Sequence, residues 1–332
     1  MAVQTSPGGM RAWRSLAFGR DGLEVAEIPR PAPGPGEMLV RVEAAALNFA
    51  DLLMLDDRYQ VRPERPFTPG QELAGTVIEA GADAPFSAGT RIAGKAETGG
   101  FADYALVRGD HALAVPQDFA AETAAALPVA YTTALVALTE STVVKPGERV
   151  LVLAAAGGVG LACVEVAKHL GAEVIAAAGG ADKCALARRH GADATVDYRH
   201  GSLVEQVKTL TKGRGVDVVV DSLGGEATRD ALRLLAWGGR LLVTGFSGGA
   251  IPQIPANKLL LKRLSAIGVY FHPEHDAAML VRIGQKLSEM AAAGAITPHV
   301  GAVYAFDELP RALAALAERA TTGKVILRVA EE

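Results

Sequence analysis

Residues 154–160, AAAGGVG, are the place in this sequence where residue types and spacing most plainly serve chemistry. An apolar run, 149–154, leads into them, and a helix-forming run, 160–170, follows. Strand, glycine turn and helix in that order leave backbone N–H groups free at the helix N-terminus, where they attract an anion. Gly157, Gly158 and Val159 form the backbone that would lie against a pyrophosphate, and Gly160 lets the helix pack closely on the sheet. The strict G-x-G-x-x-G pattern is broken at its first position, which is Ala155. A tight structural turn in some other α/β domain is the alternative reading. The alternating strands and helices that follow favour binding.

The type of nucleotide is read at the end of the next strand, where a carboxylate holds the ribose 2′-OH in an NAD site. That position falls at Ala178 or Gly179, 18 or 19 residues after Gly160, and neither is acidic. Lys183 follows within one turn, so a 2′-phosphate, and hence NADPH, is expected. Asp182 stands where a helix N-cap is needed. Tyr198, at the end of the third strand, either supports the adenosine end or is an ordinary half-buried strand tyrosine.

These groups need a frame. From Leu127 onward the chain alternates apolar strand, glycine turn and helix, with strands expected at 149–154, 173–178, 195–197, 216–221, 240–244 and 265–270. Helices are expected at 160–170 and 182–190. Strands apolar throughout belong to a buried parallel sheet, which makes the fold class α/β. The first third reads differently, as strands at 23–28, 38–46, 75–81, 89–92 and 101–107 with a short helix at 48–55. The C-terminal stretch adds a helix at 275–293, a strand at 299–304, a helix at 307–319 and a strand at 324–329. Residues 1–9 read as a disordered leader without a secretory pattern, and Met10 is a candidate working start.

With 332 residues, half of them hydrophobic, two domains are expected. Net charge −4 and 5% aromatics argue against nucleic acid or an anionic membrane as partner. Two cysteines, Cys163 and Cys184, make no disulfide framework, and a cytoplasmic setting is expected. No apolar run is long enough to span a membrane.

Eight segments together resemble the zinc-independent medium-chain dehydrogenase/reductases, in particular the quinone oxidoreductase (zeta-crystallin-like) family. They are NFADLLM (48–54), PGQELAG (69–75), LPVAYTTAL (127–135), AAAGGVGLA (154–162), GADATVDY (191–198), VDSLGG (220–225), GGRLLVTGF (238–246) and ATTGKVIL (320–327). The resemblance implies a GroES-like β-rich catalytic domain, 10–127 completed by 272–332, and a Rossmann doubly wound domain, 128–271, with the cofactor in a cleft between them. It puts Asn48 and Gln71 where zinc-dependent relatives carry a cysteine and a histidine, and the four-cysteine lobe is absent from 89–106. Amides are poor zinc ligands, so no metal is expected.

Within the resemblance, Asn48 contacts the nicotinamide or a carbonyl oxygen that gains charge, and Tyr59 lines the substrate cleft as a donor. A second cleft tyrosine is replaced by Leu53. Asp51, near Arg65, reads rather as a helix cap or buried pair. On the cofactor side the resemblance assigns Thr133 to the nicotinamide ribose. Ser222, Gly245, Phe246 and Ser247 fall to the loops after the fourth and fifth strands, Val269 and Phe271 to the carboxamide, and Arg319 to the nucleotide. It implies a quinone or enone substrate and a homodimer paired along the 264–271 edge strand. A 2-enoyl thioester reductase, for which Arg58, Arg62 and Arg65 would serve a CoA phosphate, is the second reading. A non-catalytic nucleotide-binding protein, crystallin-like or RNA-binding, is the third.

Overall fold

Residues 8–116, 118–272 and 274–330 are described by the computed structural model. The expected leader 1–9 falls mostly outside them, and Gly9 is the first residue of a strand. That strand, β1 (Gly9–Ser15), pairs antiparallel with β2 (Leu23–Pro29). Its buried residues include Met10, Ala12 and Trp13, while Arg11 is turned to Asp103 in a two-pronged ion pair, Nη2 to Oδ1 at 3.0 Å.

The chain falls into two units, one made of the described residues up to Val129 and after His272, the other of Ala130–His272. In the first unit come β3 (Glu37–Leu47), α1 (Phe49–Leu55), β4 (Glu72–Ala80), β5 (Arg91–Lys95), β6 (Tyr104–Arg108), β7 (Ala112–Ala114) and α2 (Ala121–Ala125). Helix α3 (Pro128–Leu135) leads out of it. The expected strand at 89–92 begins later and runs on to Lys95, because a turn closed by Thr90 N–H on Ser87 O occupies its first residues.

The second unit alternates as its apolar runs require: β8 (Arg149–Val152), α4 (Gly158–His169), β9 (Glu173–Ala178), α5 (Ala181–Arg189), β10 (Ala194–Asp197), α6 (Leu203–Leu210), β11 (Val216–Asp221), α7 (Gly225–Leu234), β12 (Leu235–Val243), α8 (Ala256–Lys262) and β13 (Ser265–Gly268). The six strands are all parallel, in the order β10-β9-β8-β11-β12-β13. That is the 3-2-1-4-5-6 order of a doubly wound dinucleotide-binding sheet. Its core is branched and small: Leu151, Ile175, Val196, Val219 and Leu241 are buried from successive strands.

The chain then returns to the first unit with α9 (Ala277–Ala292), β14 (Val300–Ala305), α10 (Leu309–Ala317) and β15 (Lys324–Arg328). There the sheet order is β14-β15-β3-β4-β5-β7, with β6 also on β3. Strand β15 lies antiparallel to β3 with Val325 opposite Leu47, and β4 lies on the other side of β3 with Leu73 opposite Ala45. Residues far apart in sequence therefore share one sheet end: Lys324 at the start of β15, Asn48 just past β3, and Glu72 at the start of β4.

Candidate active site

In the second unit every expected cofactor residue follows the C-terminal end of a parallel strand, or belongs to a helix beside one. This is where ligands of open α/β sheets bind. After β8 the chain turns through Ala154, whose φ of 49° is a left-handed value that costs an alanine energy. Gly157 is the N-cap of α4 and makes no side-chain cap, so the first-turn N–H groups of Gly158 and Val159 have no partner within the helix. A Cβ on Gly160 would lie 2.4 Å from Ala154 O, so only glycine lets α4 start this close to the turn. The cradle fits a pyrophosphate.

After β9 and β10 the structure brings Gly179, Lys183 and Tyr198 together and adds a group the sequence reading missed, Arg199. A Cβ on Gly179 would meet Tyr198 Cε2 at 2.9 Å and Arg199 Nε at 3.2 Å. Burial lowers the Lys183 pKa, and the nearby Arg199 charge lowers it further. Asp197 fixes this corner by accepting Gly180 N–H and Arg199 N–H, both at 2.9 Å. Those bonds, Gly180 first, hold its carboxyl below the usual range. Two neighbouring cations suit a phosphate dianion, with the Asp197 carboxylate also acting on Arg199.

The loops after β11 and β12 are braced to each other: Ser247 donates its N–H (2.9 Å) and its hydroxyl (2.7 Å) to Ser222 O. Asp221, wholly buried, shapes the first of them by accepting Leu223 N–H (2.9 Å), Gly224 N–H (3.0 Å) and the Thr228 hydroxyl. Gly245 and Phe246 lie in the second, with Phe246 39% exposed. Strand β13 ends at Gly268, two residues earlier than expected, where Val269 N–H reaches back to Val243 O at 2.9 Å. Val269 and Phe271 follow it, half-buried. Half-buried Thr133 sits on α3, which is pinned by Tyr131 donating to Glu165 Oε2 (2.7 Å), while His190 Nδ1 meets Glu165 Oε1 at 2.6 Å. Burial, then the Glu165 charge, raises the Tyr131 pKa well above its ordinary value, so it stays a donor.

In the first unit Asn48 is part of a buried polar cluster. Its Oδ1 accepts from Lys324 Nζ (2.7 Å), and its Nδ2 donates to Glu72 Oε2 (3.0 Å) and, at greater length, to Ala46 O (3.3 Å). An ammonium only donates and a carboxylate only accepts, so these partners fix which way the amide faces. Lys324 Nζ also donates to Glu72 Oε2 at 2.6 Å, and Glu72 Oε1 takes Val129 N–H at 2.7 Å. The Lys324 and Glu72 side chains are 7% and 0% exposed. Gly70, at φ 101° and with no room for a Cβ against Phe101 N, turns the chain into Gln71 and Glu72. Asp51 accepts Asn48 N–H at 2.7 Å and is wholly buried. Burial pushes its carboxyl up to about 7, Glu72 adds to the rise, and the Asn48 N–H and Lys324 oppose it.

Arg65 is no partner of Asp51. It pairs with Asp57 (2.7 Å), donates to Leu55 O and Ala17 O, and lies over the Phe18 and Phe67 rings. Arg58 and Arg62 are exposed. Half-buried Tyr59 packs against the core of this unit. Arg319, also in this unit, lies exposed beyond α10 at φ 55°. Glu72 and Lys324 went unnoticed in the sequence because 252 residues separate them.

Two family models match, an alcohol dehydrogenase GroES-like domain over residues 34–117 and a zinc-binding dehydrogenase over 158–285. Quinone oxidoreductase-like protein 2 of Rattus norvegicus is 41% identical over 310 residues, 92% of this chain and 88% of the relative. This chain belongs to the quinone oxidoreductase family of medium-chain dehydrogenase/reductases. A mycobacterial structure in complex with NADPH superposes with a TM-score of 0.89 at 32% identity, covering 96% of this chain and 100% of the other. Escherichia coli quinone oxidoreductase complexed with NADPH gives 0.87 at 29% identity, with coverage of 96% and 100%.

The zinc in the name of one model does not suit the residues of this chain. Asn48 and Gln71 offer amides, Gln71 Nε2 facing Glu97 O at 3.4 Å, and of the carboxyls beside them Glu72 is already paired with Lys324 while Asp51 is buried with its pKa raised. Among the described residues no three His, Cys, Asp or Glu side chains gather as a metal set. Cys163 and Cys184 are buried on α4 and α5, and burial raises both thiols, Cys163 to about 12. No described helix is long and apolar enough to cross a membrane.

Proposed function

We propose that this chain is an NADPH-dependent, metal-independent reductase of quinones and activated enones. The observation that carries the cofactor reading is the pairing of Lys183 and Arg199 beside Gly179 and Tyr198, with no carboxylate ending β9. The NADPH complexes of its structural neighbours support it. When bound, NADPH supplies the hydride.

The chain's own residues bind, orient and hold charge. Gly157, Gly158 and Val159 take the pyrophosphate. Lys183, Arg199 and Tyr198 take the 2′-phosphate end, and Thr133, Ser222, Gly245, Phe246, Ser247, Val269 and Phe271 line the path to the nicotinamide. Arg319 is also assigned to the nucleotide. A hydride arriving on a quinone or enone leaves negative charge on the carbonyl oxygen, and donors must hold it. We assign that task to Tyr59 and to the Asn48 Nδ2 hydrogen on the longer bond to Ala46 O, since a 3.3 Å bond is the cheaper one to trade. The proton comes from Tyr59 or water. A 2-enoyl thioester is the poorer fit, because Arg65 is spent within the fold.

A second copy is assigned to the exposed edge of the parallel sheet. Ser265, Ala266 and Gly268 of β13 are exposed there, and Leu260, Leu261 and Tyr270 are 79%, 67% and 63% exposed. An apolar open edge of this kind calls for a partner.

The function is tested with Tyr59→Phe. Turnover of an enone should fall more than turnover of a quinone, which is the more reactive acceptor, and NADPH affinity should hold. A large loss of NADPH binding, or equal effects on both acceptors, would show that Tyr59 has another job.

A further inference from the structure

Asparagine before a helix normally turns its side-chain oxygen to the first-turn N–H groups. Asn48, at the N-cap of α1 with Asp51 in the capping-box position, makes no geometrically complete side-chain cap bond and gives Oδ1 to the Lys324 ammonium at 2.7 Å. Three adjacent strands pay for the arrangement with a buried ion pair, which brings little stability: an apolar pair of similar volume would serve the sheet as well or better. Glu72 accepts from Val129 N–H, Lys324 and Asn48. Asn48 is held at its backbone N–H by Asp51 and at both ends of its amide. An amide bonded at its oxygen by a cation is also a stronger donor at its nitrogen.

We propose that Glu72 and Lys324 are positioning residues that clamp and polarise the Asn48 amide, so that it meets the acceptor's carbonyl oxygen already oriented. This rests on the assignment of Asn48 to that oxygen. Preorganised donors cost no reorganisation at the moment of reaction, which is where the clamp acts. Asp51 is the other titratable group of the cluster, and Lys95 stands opposite Glu72 on β5, its pKa lowered first by burial and raised in part by Glu72 and Glu97.

The experiment compares Asn48→Ala, Lys324→Met, Lys324→Arg, Glu72→Gln and the double variant Lys324→Met/Asn48→Ala. Each is assayed for kcat and KM on an enone and for NADPH affinity by fluorescence titration. Lys324→Met should lower kcat about tenfold, less than outright loss of a donor, with NADPH affinity unchanged. Lys324→Arg should restore part of the loss, and the double variant should be no worse than Asn48→Ala alone. Should Lys324→Met fail to fold, the neutral apolar pair Glu72→Leu/Lys324→Met replaces it, and it should fold and bind NADPH yet turn over slowly. Losses that add in the double variant, or full turnover in the apolar pair, overturn the clamp. Full turnover in Asn48→Ala would instead overturn the assignment of Asn48 on which the clamp rests.

Discussion

Replacing Asp51 by Asn should remove a pH dependence of stability that the wild type carries. Asp51 is wholly buried, its Oδ2 takes Asn48 N–H, and its Oδ1 has no hydrogen-bond partner. Burial pushes its pKa from 3.8 to about 7. The folded protein therefore holds this proton more tightly than the unfolded chain. The favourable contribution is complete below the unfolded value, is lost as pH rises toward the folded value, and is gone above it. Between the two values stability falls by about 1.4 kcal/mol per pH unit, so about 3 kcal/mol is lost between about pH 5 and about pH 8. Asp51→Asn keeps the shape and the acceptor for Asn48 N–H. Its amide buries two hydrogens where the neutral carboxyl buries one, so at low pH it should be less stable by about 1–3 kcal/mol. Urea unfolding of both proteins across that range measures the difference directly, since other groups cancel. The stability gap should close or invert as pH rises. Two curves that stay parallel would refute the buried neutral carboxyl.

The phosphate corner predicts that NADPH binds at least tenfold tighter than NADH, about 1.4 kcal/mol. Lys183→Ala and Arg199→Ala should each shrink that gap, read from dissociation constants, while NADH affinity stays put. Purified protein should hold no stoichiometric zinc by elemental analysis, and chelators should leave its turnover unchanged. Ile267→Lys on β13 should give monomer by light scattering where the wild type gives dimer; a wild-type monomer at micromolar concentration removes the edge-pairing proposal.

The parallel-sheet unit was legible because its signals are local. An apolar run ending in a glycine turn specifies β8 and the start of α4, and the end of β9 at Ala178 follows from the spacing alone. Arg199 was open to view, one residue past Tyr198, but only the fold of the loop after β10 aims its guanidinium at Gly179. The strand β1 went unexpected: its buried residues Met10, Ala12 and Trp13 alternate with Arg11, whose charge is met only by Asp103, 92 residues away. The cluster around Asn48 was not legible at all. A glutamate opening β4 and a lysine opening β15 look like ordinary exposed strand ends, and only the β15-β3-β4 neighbourhood, set by non-local pairing, buries them together. Asp51 as a capping carboxylate, by contrast, follows from its place three residues after Asn48.

In the proposed reaction hydride passes from NADPH to a carbonyl-conjugated acceptor. Its most direct test follows NADPH carrying deuterium at the transferred position, with an enone as acceptor. One NADPH should be consumed per enone reduced, with the deuterium on the carbon β to the carbonyl. NADPH that binds tightly but is consumed with neither enones nor quinones, or deuterium that appears only in water, would contradict it.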